Sequence, residues 1–126
     1  MDGELEKFLK FLVYFYLKYK KFDQAYILAK YLVAKLPNDL WSNMLLATAN
    51  YFRGQPYLSL PLLDKFIQNE KSPSCQKIYS ILRSKVLWAL GNDQQAQIEF
   101  DNFLRLKEDD IRLSVLSNLS TRGSAI

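Results

Sequence analysis

The chain contains no histidine and a single cysteine, Cys75. Without a second thiol there is no internal disulfide, and without Cys/His sets there is no zinc site and no imidazole acid/base chemistry. Cys75 reads as a structural or incidental thiol at a helix start, and a reducing cytoplasm is the simplest compartment. Only four glycines and four prolines are present, which suits helices joined by short connections. A long clean apolar run is missing too. Phe8 to Tyr16 is strongly apolar, but Asp2, Glu4 and Glu6 precede it, and Lys7, Lys10 and Lys18 interrupt or flank it. A secretory signal needs a basic start, and a membrane span needs about 20 apolar residues. The stretch reads as a soluble helix. No glycine-rich phosphate loop, paired ligand spacing or nucleophile with a neighbouring base occurs. Carboxylates such as Asp64, Asp93 and Glu99 read as solvated charges at caps or on exposed faces. No enzyme, cofactor or metal is expected.

What is present is apolar surface: 49% of residues are hydrophobic and 24% charged. That balance suits one folded domain over residues 1–126. The net charge of +4 is carried by residues 6–39, where seven lysines face only Glu6, Asp23 and Asp39. Such a patch can attract nucleic acid or anionic lipid, and binding of that kind would weaken steeply with salt. The lysines sit among apolar helices, however, and more simply mark a solvated side. Neither a nucleic-acid partner nor membrane insertion is expected.

Apolar spacing at three and four residues predicts a series of helices. The first spans about 5–19, with Leu5, Phe8, Leu9, Leu12, Val13 and Tyr16 on one face. Phe11, Tyr14, Phe15 and Leu17 lie off that face, so this helix must be covered on more than one side. A second helix, about 22–35, stops before Pro37, and Asn38 or Asp39 can cap the third, about 40–53. Gly54 ends the third as a left-handed cap. Pro61 fits only a first turn, so a fourth helix begins near Ser59. Lys71 to Ser74 reads as a loop, followed by helices at about 75–90 and 93–106. In the fifth, Leu82, Val86, Leu87 and Leu90 face inward. Asp109 to Leu119 reads as a seventh helix, and Ser120 to Ile126 as a frayed tail.

Two turns resemble one another. Leu90-Gly-Asn-Asp-Gln-Gln-Ala96 and Lys20-Lys21-Phe22-Asp23-Gln24-Ala25 each place a small alanine one turn into a second helix. The alanines lie 71 residues apart, two periods of 34 with three to spare. The loop at 71–74 absorbs the excess. A period of about 34 residues is the tetratricopeptide length. With Phe22, Ala25 and Pro37 in the first unit, and Gly91, Ala96, Phe100 and Leu104 in the third, the chain resembles a tetratricopeptide array. Ala47, Ser59 and Ser84 occupy its other small, close-approach positions, and Glu108 stands where proline is usual. The expected fold is all-α: three tetratricopeptide-like hairpins (about 6–39, 40–73 and 77–110) plus a C-terminal capping helix, about 109–120.

That register assigns a concave face. Lys7, Lys10, Tyr14 and Leu17 fall on it in the first repeat, and Trp41, Met44, Thr48 and Tyr51 in the second, with Leu45 beside them. The third contributes Ile78, Ile81, Lys85 and Trp88. The candidate partner-binding groove is therefore Tyr14, Leu17, Trp41, Met44, Leu45, Thr48, Tyr51, Ile78, Ile81, Lys85 and Trp88. Aromatic residues where array packing does not demand them point to a binding surface. In the other reading the short array curls over them, or the seventh helix fills the groove. The clamp that co-chaperone arrays use for a C-terminal carboxylate is missing, since only Lys10 is in place and Tyr14, Leu45, Ile78 and Leu82 stand at the other positions. An apolar groove suits an amphipathic helix.

A compact three-repeat domain of this kind, best matched in Leu90–Ala96 through Phe103-Leu-Arg-Leu-Lys107, resembles the small chaperones of bacterial type III secretion. Both the needle-subunit type and the early-substrate type share its size and layout. The resemblance implies a cytoplasmic chaperone that holds an amphipathic helix of a secreted or polymerising client, keeping it soluble before export. It leaves room for a second small co-chaperone, and for a homodimer when the client is absent. The alternative is a generic scaffold or a homo-oligomerising adaptor using the same face.

Overall fold

The structure, a computed structural model, describes residues 2–69 and 73–107, and among them every regular element is helical. The helices are α1 (Gly3–Lys18), α2 (Phe22–Lys35), α3 (Leu40–Phe52), α4 (Ser59–Asn69) and α5 (Pro73–Ala89). A sixth, α6, covers 93–107. The seventh helix and tail expected from the sequence, and the expected loop residues Lys71 and Ser72, lie outside the described residues.

Local chemistry sets the helix starts. Asp39 caps α3, its carboxylate accepting from the Ser42 N–H at 2.8 Å and the Ser42 hydroxyl at 2.7 Å, which satisfies a backbone donor that the helix cannot. Asp2 caps α1 in the same way through the Glu4 N–H, so that helix begins two residues before the spacing indicated. A single 3-10 turn at Pro56–Leu58 leads into α4, whose first turn holds Pro61. One boundary needs correction. Pro73 and Ser74, expected in a loop, open α5, since proline's missing N–H is tolerated in a first turn.

The helix ends repeat. After α1, the Lys20 and Lys21 amides donate to the Leu17 and Tyr16 carbonyls. After α3, Gly54 and Gln55 donate to Tyr51 and Asn50, and after α5, Gly91 and Asn92 donate to Trp88 and Leu87. Each is the same paired closure, a Schellman motif, and each needs one left-handed residue. Those residues are Lys20 (φ 62°), Gly54 (φ 81°) and Gly91 (φ 82°). They fall 34 and then 37 residues apart, so a backbone event recurs at the period read from the alanines.

The small positions recur with the turns. Val13 and Ala25 are both fully buried where α1 meets α2. Ser59 donates its hydroxyl to the Ala47 carbonyl at 2.7 Å where α3 meets α4. Ser84 donates to the Ala96 carbonyl at 2.9 Å where α5 meets α6. Every pair is separated by 12 residues, and every pair contains an alanine, which lets the backbones come close.

Two apolar clusters make the core. One gathers Val13, Ala25, Ala29, Leu32, Leu46 and Ala49 from α1, α2 and α3. The other gathers Met44, Ala47, Leu63, Leu82 and Val86 from α3, α4 and α5. Leu62 packs against both, so α3 and α4 join the halves. Two expected apolar faces are buried only in part. Leu5 and Phe8 are exposed, the buried stripe of α1 centring on Val13 instead, and Leu90 lies exposed in the turn after α5. No helix among the described residues is long and apolar enough to cross a membrane.

Candidate functional site: an apolar groove across alternate helices

Helices α1, α3 and α5 present side chains to one surface, because α2 and α4 stand behind them. Along α3, Trp41, Met44 (or Leu45), Thr48 and Tyr51 follow at three- and four-residue steps and so share a face. Ile78, Ile81, Lys85 and Trp88 do the same along α5.

The structure brings all eleven expected groove residues to two adjoining depressions. Tyr14, Leu17, Trp41, Met44, Leu45, Thr48 and Ile78 line the first, with Lys18 at its edge, around about 430 Å³. Tyr51, Ile81, Lys85 and Trp88 line the second, of about 380 Å³. The depressions meet where Thr48 gives way to Tyr51 on α3 and Ile78 to Ile81 on α5, a step of less than one helical turn in each. Met44 is buried while it lines the first depression, so it belongs to core and groove together. Trp41 and Trp88 stay 41% and 65% exposed. The described part of the chain therefore does not curl over them.

Five lining residues escaped the sequence reading: Lys18 in the first depression, and Ser84, Ala96, Gln97 and Phe100 in the second. Three of these lie on α6, which extends the wall of the second depression. The register rule considers first helices only and passes over them. An exposed Phe100 beside Ala96, in a helix with no later described neighbour, is the signal that could have revealed them.

The polar atoms of this surface are largely satisfied within the fold. Thr48 turns its hydroxyl to the Met44 carbonyl (2.9 Å), Ser84 reaches Ala96, and the Gln97 amide donates to Asp101 at 2.9 Å. The ion-paired carboxylates lie elsewhere. Lys10 sits 2.9 Å from both Glu6 and Asp39. Burial works against its charge, yet the two carboxylates outweigh that and raise its pKa. Burial likewise opposes ionisation of Asp39, but Ser42 and Lys10 hold it below the usual carboxylate value. Lys10, the one residue matching the carboxylate clamp, is thus already neutralised. Arg53 pairs with Asp23 at 3.0 Å and lies over the Tyr26 ring.

On the far side of α5, Arg83 meets Glu99 at 3.1 Å and Asp64 at 3.5 Å. The second contact is an ion pair without hydrogen-bond geometry, since the buried Arg83 Nε has no hydrogen-bond partner. Asp64 and Glu99 are therefore not simply solvated charges. Burial, with the neighbouring Asp64 and Glu99 adding to it, pushes the Tyr79 phenol up to about 12, Arg83 pulling the other way.

The chain matches no family model, no curated protein and no solved structure.

A second apolar surface lies at the opposite edge, where α1 and α2 end the stack. Leu12, Tyr16, Ile27, Leu28 and Tyr31 line a shallow depression there, and Phe8, Phe15 and Tyr19 stand exposed along α1. The all-round apolar character of the first helix divides in this way: Val13 to the core, Tyr14 and Leu17 to the groove, and the remaining aromatics to this edge.

Proposed function

We propose that the three helix pairs are tetratricopeptide-type hairpins and that the chain binds an amphipathic helix in the groove across α1, α3 and α5. The observation that carries this reading is the convergence of Tyr14, Trp41, Tyr51, Ile81 and Trp88 on two adjoining apolar depressions. Recurrence of the left-handed cap and of the alanine-containing crossing at 34 and 37 residues supports the repeat assignment. An exposed apolar trough whose lining hydroxyls and amide are satisfied within the fold favours a protein segment with apolar anchors. Each anchor can contribute about 1.5–3 kcal/mol before ordering costs. The function that fits is chaperoning. A cytoplasmic chaperone of the type III secretion kind would cover the amphipathic helix of a small secreted component until export.

Replacing Trp41, Tyr51 and Trp88 together by alanine tests this. The triple variant keeps its helical circular dichroism and no longer retains the partner that co-purifies with the wild type. Undiminished retention would defeat the reading.

A second reading has its own observation. The exposed aromatics at the α1–α2 edge suit a scaffold or adaptor that pairs with itself there. Concentration-dependent association by light scattering supports it, and a clean monomer at micromolar concentration counts against it.

A further inference from the structure

We infer that the occupant of the groove is an acidic helix, with an apolar stripe flanked by carboxylates that meet Lys18 and Lys85. This rests on the groove reading and adds the chemistry of the partner. Lys18 and Lys85 are the charged side chains at the two depressions, and among the described residues no carboxylate lines either one. Neither lysine has an ion-pair partner among the described residues, whereas most nearby carboxylates are engaged elsewhere, and Asp101 takes the Gln97 amide. Glu6 and Asp39 hold Lys10, Asp23 holds Arg53, and Asp64 and Glu99 hold Arg83. Arg83 and Lys85 stand two residues apart on α5, hence on opposite faces. The chain thus neutralises the back of that helix and leaves its groove face cationic.

Any segment that covers the two depressions removes water from around these ammonium groups, and a desolvated charge is costly unless it is paired. A helix with glutamate or aspartate beside its apolar stripe supplies that pairing. A second copy of this groove would bring lysine against lysine and is disfavoured. The spacing follows from the packing. Laid side by side at no less than the about 8–10 Å of packed helices, α1 and α5 are separated by roughly 16–20 Å or more across α3. At about 1.5 Å per residue that is about 11–13 residues or more, at least three turns of the bound helix.

The test uses the full chain and three helical peptides of about 18 residues. All share one leucine and phenylalanine stripe, and the positions flanking it carry Glu, Gln or Lys. Binding is followed by the emission of Trp41 and Trp88, the two tryptophans of the chain. At about 50 mM salt the Glu peptide binds roughly fivefold or more tightly than the Gln peptide, and the gap closes at about 500 mM. In the Lys18→Glu, Lys85→Glu double variant the preference reverses toward the Lys peptide. Should that variant lose helicity, Lys18→Gln with Lys85→Gln serves instead and removes the preference.

Equal binding of the Glu and Gln peptides, unaltered by the substitutions, overturns the acidic occupant while leaving the groove standing. Failure of all three peptides to bind overturns the groove itself and this inference with it. Vesicles containing phosphatidylserine that shift the tryptophan emission where the Glu peptide does not would make the occupant a membrane surface, and the inference falls.

Discussion

Leu63 and Ser59 lie one turn apart on α4, both fully buried against neighbouring helices, and together they separate apolar packing from hydrogen bonding at the centre of the fold. Leu63 packs in the cluster that contains Met44, Ala47, Leu82 and Val86, so Leu63→Ala removes contacts with α3 and α5 at once. A fully buried leucine truncated in this way costs about 2–5 kcal/mol, the upper part applying where the surroundings cannot collapse. Ser59→Ala removes one hydroxyl that donates to a carbonyl already bonded within its helix. That leaves no orphaned group, so the expected loss is about 0.5–1.5 kcal/mol. For a chain of this length each kcal/mol moves the midpoint by about 4 °C. Thermal unfolding followed by circular dichroism should therefore show a drop of about 8–20 °C for Leu63→Ala and about 2–6 °C for Ser59→Ala. Because Met44 also lines the first depression, Leu63→Ala should weaken partner binding even below its own midpoint. A loss under about 1 kcal/mol for Leu63→Ala would refute this account of the core. So would a Ser59→Ala loss as large as the leucine's, since the hydroxyl would then be the main tie.

Asp39 has a lowered pKa in the folded chain, so its contribution to stability is present above the ordinary carboxylate value and is lost as pH falls through the lower, folded value. Acid titration of stability should show a shallower decline for Asp39→Asn than for the wild type, and identical acid limbs would refute the Asp39–Ser42–Lys10 linkage. Lys20 adopts a left-handed conformation where the two equivalent turns have glycine, at a steric cost of roughly 1–2 kcal/mol. Lys20→Gly should therefore raise stability by about 0.5–1 kcal/mol, after the added freedom of the unfolded chain is deducted; a fall measured by urea unfolding would show that the lysine side chain stabilises this turn.

Much of this was legible in the residues, for reasons that can be named. Helix α2 ends where Pro37 forbids continuation, and Gly54 and Gly91 end their helices because a left-handed residue is needed there. The groove was legible because helical register fixes which of Trp41, Met44, Thr48 and Tyr51 share a face, whatever they pack against. Other features depend on tertiary neighbours. Leu5 and Phe8 share a period with Val13, but only the position of α2 decides that Val13 is enclosed and they are not. Lys18 became a groove residue through its place at the end of α1, where a charge count along the sequence shows only one more lysine. The helical start at Pro73 was obscured because Ser-Pro-Ser reads as a loop and as a first turn alike.

The three close crossings offer the strictest test of whether the helix pairs are equivalent. In the middle pair the hydroxyl is on the second helix, Ser59 donating to the Ala47 carbonyl. In the last pair it is on the first helix, Ser84 donating to the Ala96 carbonyl. If both crossings share one geometry, exchanging residues in the middle pair converts its chemistry into that of the last. Ala47→Ser alone places two hydroxyls in a fully buried crossing and should cost about 1–3 kcal/mol by overpacking. Ser59→Ala alone loses the hydrogen bond. The double variant restores one alanine and one hydroxyl, now donating from α3 to the carbonyl of residue 59, and should return to within about 0.5 kcal/mol of the wild type. The coupling energy between the sites would then be roughly 1–4 kcal/mol, of the size found for residues in direct contact. A double variant as unstable as the sum of the singles would mean that the crossings differ in geometry. Equivalence of the pairs would then rest on the turns alone, and the register that assembles the groove from Tyr14, Trp41 and Trp88 would lose its second, independent support.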